Sequence, residues 1–370
     1  MKLRLTVLSL LFTVFAASGS GLAQPARPEL DGPRLRAELL RLYSDAGVRA
    51  MIASVRQGEE SLVSLALGES MTGVPATVED SVRMGGVSET FLGVLLMRLV
   101  ERGELKLEDR LSRWLPELPN ADKVSLEMLM TNTAGYKDYV VNPKFAADVL
   151  ADPFRQFRRE EIVGYSIEDG TTNFSPGSRS AYSHTEFTIL GAALLKATGR
   201  SMEDLHEELL FHPAGLKQTD YSNDAQMPIQ VLHAFSSDRG VYEDATFWNP
   251  SWTGDSGPLY STVDEIARWA RIHGRGELLS PEFQARLTAR PAVAPPKGPY
   301  FAYGFIVSNG WYCQNPSFNG YSGGYAYNPE RDIAIVVYTT DKPGPAKPGP
   351  AFAIVRQMVA TIAPDQPLEF

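Results

Sequence analysis

The sequence predicts an α/β chain in which one sheet is assembled from the two ends of the polypeptide around a helical middle. Strand patterns stand at Ala50–Arg56 and Glu60–Leu67, then return only at Phe301–Ser308, around Gly324–Asn328 and at Ile333–Thr339. Between about Ser88 and Ala289 the apolar residues recur at helical spacing instead. Strands at both ends enclosing helices imply a single sheet with a helical insertion. The sheet part is expected over about 33–85 and 295–365, and the helical part over about 86–294.

Each element has its own signal. A first helix is expected over Pro33–Ala46, with leucines at helical spacing. Gln57-Gly58-Glu59 separates the first two strands as a short hairpin turn. Glu89–Arg102 is a long apolar helix stopped by Gly103, and Val124–Thr131 is a shorter one. Phe187–Thr198 carries an apolar stripe ended by Gly199, and Val263–His273 repeats that design. Pro350–Ile362 closes the chain as a helix with proline first, where a missing N–H costs least. The proline-rich run from Lys342 to Gly349 reads as a surface loop.

The first 23 residues read as an export signal. Lys2 and Arg4 precede the apolar stretch Leu5–Ala17, and Gly21-Leu22-Ala23 before Gln24 suits signal-peptidase cleavage. The apolar stretch is too short for a stable bilayer anchor. The mature chain is therefore expected to be periplasmic or secreted, with no membrane anchor. Loss of Lys2 and Arg4 takes the formal charge from −9 to −11. That balance disfavours nucleic acid and anionic membrane, which need a basic footprint. Cys313 is the only cysteine, so neither an intrachain disulfide nor a multi-cysteine metal site is expected.

Several strings imitate catalytic motifs. Gly254-Asp255-Ser256-Gly257-Pro258 resembles the serine loop of trypsin-like proteases, which are all-β, whereas this region is mostly helical. Gly320-Tyr321-Ser322-Gly323-Gly324 fits G-x-S-x-G but lacks the following helix that a nucleophile elbow needs. His206 and His212 are six apart rather than four, so they are expected on a helix surface and not on a metal.

The segment Val82-Arg83-Met84-Gly85-Gly86-Val87-Ser88-Glu89-Thr90-Phe91 closely resembles the active-site helix start of the β-lactamase-like serine hydrolases. That group includes class C β-lactamases, D-alanyl-D-alanine carboxypeptidases and related esterases. The likeness continues through Leu99–Pro116, Leu129–Gly135, Phe174–Gly199 and Gly310–Val337. It implies an antiparallel sheet flanked by helices, with the helical insertion as a second part of the same domain.

The family's chemistry rests on three motifs, and each departs here. S-x-x-K falls on Gly86-Val87-Ser88-Glu89, so glycine replaces the nucleophile and an acid replaces the lysine. Y-x-N falls on Tyr182-Ser183-His184. H-x-G or K-T-G falls on Gln314-Asn315-Pro316, and Asn132 stands where the family's T-H-T-S-G loop has histidine. If the family backbone is kept, Glu89 should reach Tyr182 and His184.

Three readings follow. In one, the protein is a non-acylating pseudoenzyme whose cleft, lined by Gly86, Asn132, Gln314, Asn315 and Ser317, binds a small molecule or peptidoglycan-like peptide. His184 would then supply the donor that Glu89 needs. In another, Glu89, Tyr182 and His184 form an acid–base set working without a covalent intermediate. The third is residual carboxypeptidase- or esterase-like hydrolysis through Ser88 or Ser322. No cofactor is implied, and a metal held by Glu89 and His184 alone would lack a third ligand.

Overall fold

The computed structural model describes residues 30–344 and 349–370. The expected export signal and part of the Lys342–Gly349 run lie outside the described residues. Among the described residues nine strands form the main sheet, and every pairing is antiparallel. The order runs from Val74–Pro75 through Glu60–Met71, Ala50–Gln57, Ile333–Thr340 and Tyr321–Asn328 to Trp311–Gln314, Ile306–Ser308 and Tyr300–Phe301. Ser317–Phe318 adds a second short segment beside Tyr321–Asn328. The two chain ends meet where Ala50–Gln57 pairs with Ile333–Thr340, in register Ala53 to Val337.

Both faces of the sheet are covered. Ile333, Ile335 and Val337 cluster with Leu35, Leu39 and Leu42 of helix Gly32–Ala46 and with Val355, Met358 and Val359 of helix Pro350–Ile362. The alternate residues Ala334, Val336 and Tyr338 cluster with Ile266, Trp269 and Ala270 of helix Val263–Arg275. Period-2 alternation therefore feeds two cores at once, so Ile333–Thr340 is buried at every position. Each fully buried aliphatic side chain contributes about 1.5–3 kcal/mol.

Helix Ser88–Glu101 is apolar almost all round, as a helix enclosed by the core must be. One of its contacts explains a departure from the sequence reading. The expected strand Phe301–Ser308 is a tight hairpin, with Phe301 opposite Ile306. The chain reverses at Gly304, whose φ is 89°, and Ala302 N–H bonds to the Phe305 carbonyl at 2.8 Å. The hairpin tip lies directly on the helix backbone. A Cβ on Gly304 would stand 2.2 Å from the Glu89 carbonyl oxygen, and one on Gly93 would stand 2.3 Å from that of Tyr303. Only glycines permit that approach.

The middle of the chain is less purely helical than its periodicity suggests. Ser81–Arg83, Leu259–Thr262 and Asp220–Tyr221 form a small antiparallel sheet, and Phe235–Ser236 pairs with Glu243–Asp244. His206 corrects a second expectation. It is 3% exposed, its Nδ1 lies 2.7 Å from the Met202 carbonyl, and burial pushes its pKa down to about 4. It is a neutral core histidine, whereas His212 is exposed as expected. Among the described residues no helix is long and apolar enough to cross a membrane.

Candidate ligand cleft

Strand Ser81–Arg83 leads through the single turn Gly85–Val87 into helix Ser88–Glu101, so Gly86 stands at the helix entrance. Gly85 adopts φ 53° and packs closely on Pro316, which a Cβ would approach to 2.9 Å. A Cβ on Gly86 would meet Gln314 Oε1 at 3.1 Å and Glu89 Oε1 at 3.8 Å. The place of a nucleophile is thus lined by an amide and an acid.

Glu89 has no exposed surface. The Tyr182 hydroxyl donates to its Oε1, and Gln314 Nε2 donates to Oε2 at 3.0 Å. Gln314 Nε2 also donates to the Gly304 carbonyl at 2.7 Å, tying the site to the hairpin tip. Burial pushes the Glu89 pKa well above the usual carboxylate range, against the two hydrogen bonds, and nearby Asp138 adds to the rise. Burial likewise raises the Tyr182 phenol, and Glu89 and Asp138 raise it further. Burial thus favours the protonated form of both groups, which are joined by a hydrogen bond.

His184 starts helix His184–Thr198, but it does not supply Glu89's donor as the sequence reading expected. Its Nδ1 lies 2.9 Å from Asp138 Oδ2, and its ring meets that of Tyr182 edge-on at 4.8 Å. Asp138 was missed because no local spacing marks it. It lies 46 residues from His184 and reaches the site only through the loop after Gly135. That loop is fixed by Glu186, which accepts the N–H groups of Ala134, Gly135 and Tyr136 at 3.2, 2.8 and 3.0 Å. Burial pushes the Glu186 pKa up to about 8 despite those donors. Asn132, with φ 55°, accepts from Ser183 N–H through Oδ1 at 2.9 Å and from Ala181 N–H through its carbonyl at 3.0 Å. Its Nδ2 is buried without a partner.

Pro316 interrupts the strand without shifting it. Gln314 faces Tyr325 and Ser317 faces Ser322 in one continuous register, and the Pro316 carbonyl accepts from Gly323 N–H at 2.8 Å. Pro316 therefore occupies a hydrogen-bonded pair, and its missing N–H is one that would have pointed at Gly323. Asn315 and Ser317, both exposed, alternate with it and direct their backbone groups to the free edge. The proline removes a ladder donor but keeps the outward Ser317 N–H.

The look-alike motifs are structural. Ser88 is buried and accepts from Leu259 N–H at 3.2 Å. Ser322 is buried within a strand and accepts from Ala351 N–H at 3.3 Å. Ser322→Ala is expected to cost about 1 kcal/mol in denaturant unfolding and leave serine-probe reactivity unchanged. Asp255 takes a bidentate ion pair from Arg159, at 2.6 and 2.8 Å, and a bond from the Tyr221 hydroxyl. Among the described residues no group of three or more His, Cys, Asp or Glu side chains could hold a metal ion.

The Beta-lactamase family pattern matches residues 35–358. The chain belongs to the beta-lactamase family. D-alanyl-D-alanine-carboxypeptidase/endopeptidase AmpH of Escherichia coli K12 is similar at 26% identity over 290 residues, covering 75% of this chain and 71% of that protein. A D-aminopeptidase of Brucella anthropi is 28% identical over 226 residues, 60% of this chain and 42% of that one. Among solved structures, a D-stereospecific amidohydrolase from Streptomyces sp. superposes with TM-score 0.76 at 21% identity, covering 84% and 95% of the two chains. D-amino acid amidase from Ochrobactrum anthropi SV3 gives TM-score 0.76 at 19% identity, covering 89% and 97%. This beta-lactamase family member thus carries the antiparallel sheet and flanking helices that its motifs imply.

Proposed function

We propose that this protein is an exported, non-acylating member of the beta-lactamase family whose cleft binds a peptidoglycan-like D-amino-acid ligand without turning it over. The observation that carries the reading is the state of Glu89. It is wholly buried and satisfied by Tyr182 and Gln314, beside a glycine in the nucleophile's place. The usual mechanism needs a hydroxyl at Gly86 and a cation at Glu89. Here the cation's place holds an acid whose pKa burial raises, hydrogen-bonded to the Tyr182 hydroxyl. The ligand class rests on the relatives, whose names point to D-alanyl and D-amino-acid substrates. Calorimetric titration with D-alanyl-D-alaninamide should give saturable binding, and chromatography should recover the ligand intact. Export predicts that the protein isolated from the periplasm or medium begins at Gln24.

A second reading, a non-covalent acid–base enzyme, is favoured by the His184–Asp138 pair. A histidine oriented by a carboxylate is a suitable general base, with the Glu89–Tyr182 pair as proton donor. On this reading His184→Ala and Asp138→Asn each lower hydrolysis of amide and ester substrates by at least about 100-fold. On the binding reading there is no turnover for either substitution to lower.

A further inference from the structure

A second hollow in the helical part is lined by none of the cleft residues Gly86, Glu89, Tyr182, His184 or Gln314. It is a groove of about 510 Å³ between helix Arg159–Ile167 and helix His184–Thr198, bounded also by Leu115 and Leu118. Val163 and Ile167 stand four apart on the first helix, and Ala192 and Leu195 three apart on the second, so each helix turns one apolar face to the groove. Leu118, Ile167, Ala192 and Leu195 are only half-buried there, packed on the main core from outside. The outward face of a surface helix is ordinarily polar. Here two helices leave apolar residues facing a common space, of a size within the range of about 300–1,000 Å³ typical of small-molecule sites.

The rim of the groove is charged. Arg158, Arg159 and Lys196 stand on it with Glu117 and Glu160. Arg159 is committed to Asp255, at 2.6 and 2.8 Å, and to the Tyr221 hydroxyl. Lys196 Nζ donates to the Trp114 carbonyl at 3.0 Å and stands 3.9 Å from Glu117. Arg158 differs from both. It is exposed, and among the described residues no ion pair or hydrogen bond engages its guanidinium. In a chain of formal charge −9, a free guanidinium thus stands at the mouth of an apolar groove. A guanidinium donates to both oxygens of a carboxylate at once. The apolar walls match hydrocarbon, and a narrow space between two helices suits a slim chain rather than a folded partner.

We infer that this groove binds a single-chain aliphatic carboxylate. The tail lies between the two helices against Ala192 and Leu195, and the carboxylate meets Arg158. The site is independent of the ligand held in the cleft.

Calorimetric titration of the wild-type protein with octanoate, decanoate and dodecanoate tests it, with dodecyltrimethylammonium as the probe of opposite charge. Each buried methylene strengthens binding about fourfold. Affinity should therefore rise about tenfold or more at each step of two methylenes, and dodecyltrimethylammonium should bind at least tenfold more weakly than dodecanoate. Arg158→Glu should weaken dodecanoate at least tenfold, and Ala192→Phe, which fills the groove, should abolish its saturable binding. The wild-type comparison stands even if Ala192→Phe does not fold. No saturable binding of dodecanoate, equal affinity for the three chain lengths, or equal affinity for the cationic probe overturns the inference. Unchanged dodecanoate binding by folded Ala192→Phe overturns it too, because the chain then lies elsewhere.

Discussion

Incubated with a fluorescent penicillin or a fluorophosphonate probe, the protein is expected to emerge with its intact mass unchanged. Loss of the nucleophile in a comparable serine enzyme costs about 10⁶ in rate, or roughly 8 kcal/mol of barrier. No other hydroxyl singled out by the sequence takes its place. Ser88 is engaged by Leu259 N–H and Ser322 by Ala351 N–H, both in the interior. Gly86→Ser alone should not restore labelling. The new Cβ would stand 3.1 Å from Gln314 Oε1, and the position one helical turn on holds the acid Glu89 where the usual mechanism needs a lysine. Mass spectrometry after overnight exposure checks both proteins, and an adduct on any serine of the wild type defeats the prediction.

Glu89→Gln is expected to match the wild type in stability at low pH and to exceed it increasingly as pH rises. In the unfolded chain Glu89 loses its proton near the reference value of about 4.3. In the folded protein burial holds the proton to much higher pH. Between those two values the folded state binds more protons than the unfolded state, so stability falls as pH rises. The slope from this group is about 1.4 kcal/mol per pH unit until Glu89 itself ionises. Glutamine has no such proton, while its carboxamide still offers an acceptor to Gln314 and a polar group to Tyr182. The two proteins should unfold together at pH 4, and the variant should be the more stable at pH 8. Parallel stability curves from pH 4 to 8 would mean that Glu89 is ionised in the fold.

Much of the fold was readable because it rests on periodicity. The continuous apolar run Ile333–Thr339 announces a strand buried on both faces and the helical stripe of Val263–His273 announces the face it buries, and both appear within two residues of their expected ends. Phe301–Ser308 failed for a tertiary reason. Its alternation is real, but Gly304 lets the chain turn back to reach the Glu89 backbone, and nothing local encodes that contact. Within the cleft, the Glu89–Tyr182 contact followed from the motif alignment. The Gln314 bond to Glu89 did not, because it links residues 225 apart. Asp138 escaped for the same reason, and with it the true partner of His184. Pro316 was legible as an anomaly, but only the strand register showed that its missing N–H faces Gly323 rather than the free edge.

The central claim is binding without turnover. It is tested most directly by holding the protein at saturating D-alanyl-D-alaninamide for a day and then quantifying both ligand and products. The account predicts a saturable heat on titration and full recovery of the intact dipeptide amide. Release of D-alanine or ammonia beyond one equivalent per protein chain would contradict it.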